Sequence, residues 1–338
     1  MLDLFAMIRE MAPLPCAPGE ERALLSFLSE QAAPYVDDSR FDTLGNLILH
    51  KKGPGPRVLL CARADTPGLA VTHIDNDGFI HVGALGTLSP AALNGRAVTF
   101  SGGVRGVCVL SCPEKEQTPA AEHLFIDIGA TGRADAEARV KVGSSAAFIG
   151  EALRLDARLA APGLGARLGC AILLRALSIL SQPACDLYMA LCVQDSLGHR
   201  GMQTAVHGVA PDAALVIAPT LCRDNPDSPS PDASSGCRLG HGPALRLMDA
   251  SFIPHGWMLK RIADAADAEK IPLQRVVCPS ESSGGGALYA SCGGRPAGNV
   301  GFPIRYGQTG YQTADLGDAD GCVRLLMALI QEKWDAPA

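Results

Sequence analysis

Apolar residues recur at helical spacing near the start of the chain. Leu2, Phe5, Ile8 and Met11 form one stripe, and Leu24, Phe27 and Leu28 form a second that runs on to Gln31. The segments 46–51 ("NLILHK") and 57–64 ("RVLLCARA") then read as strands around the turn "KGPGP". From residue 67 to about 160 short β-rich runs alternate with turn residues: "LAVTHI", "FIHVGAL", "RAVTFSG", "RGVCVLS", "HLFIDIGA" and "AAFIGE". Within them "HIDNDGFI" reads as a hairpin, because the distant Glu of a calcium-binding EF-hand loop is missing. No long helix is expected there, so this stretch predicts a small β-barrel or sandwich.

An α/β rhythm resumes at about 161. "LGARLGCAILLRALSIL" and "HRGMQTAVHG" read as helices, and "DLYMALCVQD" and "AALVIAPT" as strands. A polar loop, "RDNPDSPSPDASSG", precedes a helix at 257–270, the strand "LQRVVCP", a Gly-rich turn with helix ("SSGGGALYAS"), the strand "AGNVGFPIR" and a last helix at 318–333. No internal repeat is found. The expected fold class is α/β: a mostly parallel mixed sheet with helices on both faces, formed by 1–66 plus 161–338. Residues 67–160 are expected to form an inserted small β-barrel domain.

Composition narrows the function classes. In 338 residues, 47% are hydrophobic and 19% charged, a globular balance with ample material for a core. A net charge of −6 without a basic patch argues against nucleic acid or an anionic membrane surface as partner. No apolar stretch is long enough to span a bilayer, and the start "MLDLFAMIREMAPLP" lacks the basic lead of a signal peptide. The twelve cysteines are scattered in apolar runs with no CxxC pair, so buried free thiols and a cytoplasmic location are expected.

The stretch 187–205, "LYMALCVQDSLGHRGMQTA", delivers Asp195 and Ser196 to a turn between a strand and a helix, where α/β enzymes keep their chemistry. Asp195 also fits a plain helix-capping role. Ser282 and Ser283 in "ESSGGG" suggest a nucleophile, but without a G-x-S-x-G elbow they read as helix caps. "PGLGARLG" misses the phosphate-loop spacing and reads as packing. His73, His81 and His123 fall in the β insertion and read as structural. Cys108 and Cys112 in "CVLSC" have no partners that would make a metal site, and the eight histidines include no HxH or HExxH spacing.

Four segments carry a resemblance: "CARADTPG", "APGLGARLG", "VQDSLG" and "FPIRYGQTG", supported by "DTLGNLI", "HIDNDGF", "LFIDIGA" and "GPALRLMDAS". Over nearly the whole chain the sequence resembles the co-catalytic zinc aminopeptidases of the glutamyl/deblocking (tetrahedral) family. That resemblance implies a zinc-peptidase-like α/β domain with a β-barrel insertion, two zinc or similar divalent ions, and self-assembly into large shells. It sets Asp195 at the family's general-base position and Asp65 at that of its orienting acid. The five ligand positions fall on Arg63, Gly165, Ser196, Ala218 and Gln308. Arg167, Arg305 and Tyr306 keep family residues around the pocket.

None of these five side chains is a carboxylate or an imidazole, so no metal cofactor is expected. A divergent member is expected that lacks metal-dependent peptide hydrolysis. It would act as a binder of a peptide or amino-acid-like ligand, or as a subunit of a homo-oligomer or of a mixed assembly with active relatives. Arg63 and Arg167 are expected to replace the metal charge by pairing with Asp65 and Asp195. Two alternatives stand beside this: an active metallo-aminopeptidase with unusual or interface-supplied ligands, and a metal-free hydrolase using Asp195 as base, for which the sequence displays no nucleophile.

Overall fold

A computed structural model describes residues 2–111, 120–226 and 236–335. Cys112 and most of the polar loop after Arg223 lie outside the described residues. Eleven strands form one mixed sheet. Its parallel centre runs Asp186–Cys192, Arg57–Arg63, Ala213–Leu221 and Ala297–Arg305. Antiparallel strands extend both sides: Leu47–Lys51 and Asp38–Phe41 beyond one edge, Gln312–Asp315, Arg158–Ala161 and Leu153–Leu155 beyond the other. Ala244–Asp249 and Gln274–Cys278 branch off as a parallel pair against Ala297–Arg305.

The run "VLLCA" is apolar without alternation because both faces of the sheet are covered. Val58, Leu60 and Ala62 join a core with the helices Leu4–Met11, Arg22–Ala32, Leu164–Ile179, Gly256–Ala268 and Leu316–Gln331. Leu59 and Cys61 face a second core filled by Met202, Val206 and Val209 of the helix Arg200–Val209 and by Leu288 of Gly285–Ala290. The helix Leu164–Ile179 is buried on almost every side, which its nearly all-round apolar sequence permits.

The strands between Gly68 and Phe148 close into a six-stranded barrel with its own core of Leu69, Val82, Val98, Phe100 and Ile126. Gly68–Ile74 and Ile80–Leu85 form the expected hairpin, with Asp75 accepting hydrogen bonds from the amides of Asp77 and Phe79. One helix, Arg133–Arg139, interrupts the β pattern where none long was expected; it is only seven residues and buries only Ala136. All eleven cysteines among the described residues are free, ten of them buried.

One buried acid in the frame predicts a pH signature. Asp318, in the first turn of Leu316–Gln331, accepts hydrogen bonds at 2.7 Å from the amides of Gly240 and Gly242. Burial nonetheless pushes its pKa up to about 6 from 3.8. The native state therefore holds this proton more tightly than the unfolded chain. Its contribution is full below pH 4 and is lost as pH rises through 6, by roughly 3 kcal/mol. Urea titrations of the native chain and Asp318→Asn between pH 4 and 7 should show this slope in the first and its loss in the second.

Candidate functional site

The parallel strands Arg57–Arg63 and Asp186–Cys192 end level with each other, Cys192 pairing Arg63. Their carboxyl ends open toward the barrel, the usual place for a site in such sheets. Two residues past the first strand, Asp65 is fully buried. Its two carboxylate oxygens accept from the amides of Asp195 (2.7 Å) and Ser196 (2.9 Å), so it fixes the turn after the second strand. Burial raises the Asp65 pKa, and the nearby Asp195 charge adds to it; the hydrogen bond from the Ser196 amide and the charge of Arg63 oppose the rise.

That turn is conformationally demanding. Gln194 and His199 both take left-handed backbone angles, φ 50° and 58°, which cost a non-glycine residue energy. The result directs the buried Asp195 carboxylate at His199, with Oδ2 at 3.0 Å from Nδ1. The other face of the imidazole meets a hydroxyl: Nε2 lies 2.7 Å from Ser282 Oγ. Asp195 Oδ1 and Ser196 Oγ are buried without hydrogen-bond partners. Burial lowers the His199 pKa, but the hydrogen bond and charge of Asp195 outweigh it and the net shift is upward. The charge of Arg63 acts on His199 as well.

The loop carrying Ser282 is anchored on both sides. Glu281 accepts from Arg246 Nη2 at 3.1 Å and from the Leu221 amide at 3.3 Å. Ser283 donates its amide and hydroxyl to Asp249, and its oxygen accepts from the Gly285 amide. Ser283 thus accepts from the first amide of the helix Gly285–Ala290, whose N-cap is Gly284, whereas Ser282 faces His199. Gly284, at φ 85°, lies so close that a Cβ there would sit 2.4 Å from Met202 Sδ and 3.0 Å from His199 Nδ1. Only glycine fits both the angle and the space.

The remaining expected pocket residues divide. Arg63 and Gln308 line a cleft with Thr66, Leu88, Phe148 and Gln312, between the sheet and the barrel. Arg305 is committed to Asp224 through two hydrogen bonds of 2.7 and 2.6 Å, and Tyr306 is partly exposed at φ 62°. Arg167 corrects the expected charge replacement. Its fully buried guanidinium donates to the carbonyls of Met11 (3.0 Å), Pro162 (2.6 Å) and Leu14 (2.8 Å), not to Asp65 or Asp195. Three fixed carbonyls satisfy this fork where it lies, at the far side of Gly163. Arg63 likewise forms no ion pair with either acid among the described residues, and its Nε is buried without a partner.

A pair of divalent ions would not fit the residues present. Arg63 Nη2 lies 3.1 Å from the place a Cβ on residue 165 would occupy, and Gln312 Oε1 lies 3.3 Å from it. Gly165 donates its amide to that same Gln312 oxygen at 2.6 Å. A side chain reaching in from 165 would have to displace the guanidinium. A unit charge about 4 Å from a dication is repelled by roughly 8 kcal/mol at an effective dielectric of about 20. Among the described residues no group of three or more His, Cys, Asp or Glu is arranged to hold a metal ion.

Sequence reasoning missed His199. Its signal was present, since Asp195 and His199 stand four apart across a glycine turn, but Ser282 lies 83 residues further on.

Comparison with known proteins sets this geometry in a lineage. Residues 45–325 match the M42 glutamyl aminopeptidase family, and the chain belongs to that family. A provisionally named aminopeptidase of Acetivibrio thermocellus is 31% identical over 329 residues, covering 97% of this chain and 98% of its own. Among solved structures, aminopeptidase APDkam598 from Desulfurococcus kamchatkensis superposes with a TM-score of 0.92 at 28% identity, covering 97% of this chain and 94% of its own. The TET1 peptidase of Pyrococcus horikoshii, which can assemble into a tetrahedron or a large octahedral shell, gives a TM-score of 0.86 at 25% identity over 98% of this chain and all of its own.

Proposed function

We propose that this chain is a metal-independent member of the family that binds a peptide-like ligand in the cleft beside Arg63. One observation carries the reading: a guanidinium, which keeps its charge at any physiological pH, stands against Gly165 where a ligand side chain would enter. The same group is suited to the carboxylate of a peptide or amino acid. Asp65 and Asp195 keep their family positions as the backbone support and the acid of the site. The ten buried, reduced thiols accord with a cytoplasmic location. The shells formed by the Pyrococcus horikoshii protein support assembly as a homo-oligomer. A mixed shell with active relatives would be seen by copurification.

The test is elemental analysis joined to calorimetry. Protein purified in excess zinc, cobalt or manganese should retain well under one ion per chain and bind short peptides with unchanged affinity in EDTA. Arg63→Met should weaken binding of free-acid peptides about tenfold or more while leaving C-terminal amides unaffected. Two ions per chain, together with release of amino acids from peptides that EDTA abolishes, would establish the active metallo-aminopeptidase instead.

A further inference from the structure

Ser282, His199 and Asp195 form one hydrogen-bonded line that the cleft-binding reading leaves unused. Hydroxyl meets imidazole at 2.7 Å, and imidazole meets buried carboxylate at 3.0 Å, through its two different ring nitrogens. The order is nucleophile, base, orienting acid, the arrangement recognised by geometry across unrelated folds. We propose that this line is a metal-independent acyl-transfer site for a carboxylate-bearing ester or amide, with Ser282 as nucleophile, His199 as general base and Asp195 as positioning residue. The inference rests on the metal-independent reading and adds a reaction to it.

Several features set this line apart from a loop latch. Asp195 is 2% exposed, and among the described residues its one side-chain hydrogen bond goes to His199. The histidine is held in a left-handed conformation, and strain of that kind persists where the surroundings over-determine it. Gly284 leaves no room for a Cβ beside His199 Nδ1. Ser282 itself is exposed to solvent, while its neighbours Glu281 and Ser283 are each tied to buried partners. A reactive hydroxyl on rigid flanks is the condition a preorganised site requires. Arg63 lines the neighbouring cleft, and its positive charge reaches His199.

The chemistry balances without a cofactor. Ser282 Oγ bonds to the acyl carbon as its proton passes to His199 Nε2. The tetrahedral adduct collapses, the bond to the leaving oxygen or nitrogen breaks, and His199 returns the proton to that atom. Water then repeats the sequence on the acyl-serine, releasing the acid and restoring Ser282.

A fluorophosphonate probe tests this on the unaltered protein. Attack by Ser282 forms a P–O bond and expels fluoride, and peptide mass spectrometry locates the adduct. In EDTA, the expected result is a stoichiometric adduct on Ser282, together with hydrolysis of the p-nitrophenyl monoester of succinate. Ser282→Ala should abolish both, and His199→Gln should slow labelling roughly 100-fold or more. Asp195→Asn should lower kcat by roughly 10²–10⁴-fold with KM little changed, which a merely structural role would not produce. A folded, metal-free chain that gains no adduct on Ser282 overturns the acyl-transfer inference and leaves the binding reading standing. Hydrolysis that EDTA abolishes, with no adduct, overturns both.

Discussion

Asp249→Ala is expected to lose about 4 kcal/mol of stability in urea unfolding and, in whatever remains folded, the fluorophosphonate reactivity of Ser282. The carboxylate is 2% exposed and accepts from the Ser251 amide and hydroxyl (2.7 and 2.6 Å), the Phe252 amide (3.2 Å) and the amide and hydroxyl of Ser283. Arg246 Nη1 lies 3.5 Å away. Removing this acceptor leaves several buried donors unsatisfied and Arg246 with only Glu281 as counter-charge, a loss in the range of a broken buried pair. Burial alone would raise the Asp249 pKa, yet the hydrogen bonds from Ser251 and Ser283 bring it below the ordinary value. Its contribution is therefore present above the unfolded pKa near 4 and fades as pH falls through the folded one. Asp249→Asn, which keeps one acceptor oxygen, should lose less. Both measurements matter, because the residue hydrogen-bonds neither His199 nor Ser282; it holds Ser283, and its charge reaches His199.

Arg167→Met should cost about 3 kcal/mol, with the midpoint of urea unfolding lowered and the slope unchanged. The variant removes three donors at once and leaves the carbonyls of Met11, Pro162 and Leu14 buried without them. Loss of the buried charge offsets part of this. Arg167→Lys should recover little, since one ammonium cannot match a planar fork spread over three carbonyls. Ligand affinity per folded molecule should stay unchanged, because this arginine bonds carbonyls and neither acid of the cleft. Gly163 shares the constraint: it sits at φ 60°, and a Cβ there would lie within van der Waals overlap of Arg167 Nη1.

These two residues also mark where sequence reading succeeds and stops. The central strands were legible because burial on both faces leaves unbroken apolar runs such as "VLLCA" and "AALVIA". The barrel was legible from short alternating runs between glycines, and its hairpin from "DNDG". The position of Asp195 just past a strand end was legible from the residues, while Asp65 was singled out only by the resemblance. Arg167 was not, since its partners are backbone carbonyls, those of Met11 and Leu14 about 150 residues earlier, and carbonyls carry no sequence signature. Ser282 was passed over for a related reason. In "ESSGGG" it is Ser283 that meets the first helix amide while Gly284 is the N-cap, and a one-residue offset decides which hydroxyl faces His199. His199 drew no notice because a histidine at a helix start is commonplace until the residue opposite is known.

The barrel enters the chain immediately after Asp65, with the strand Gly68–Ile74 starting three residues on, and it contributes Leu88, Leu93 and Phe148 to the wall facing Arg63. The hydrogen-bonded acids, histidine and serine all come from the sheet and its loops. On the proposed reading, shape selection and reactivity would therefore reside in separate modules of one chain. Exchange of the barrel's rim segments offers a lineage a way to change which molecules are admitted while the polar machinery behind them is inherited intact.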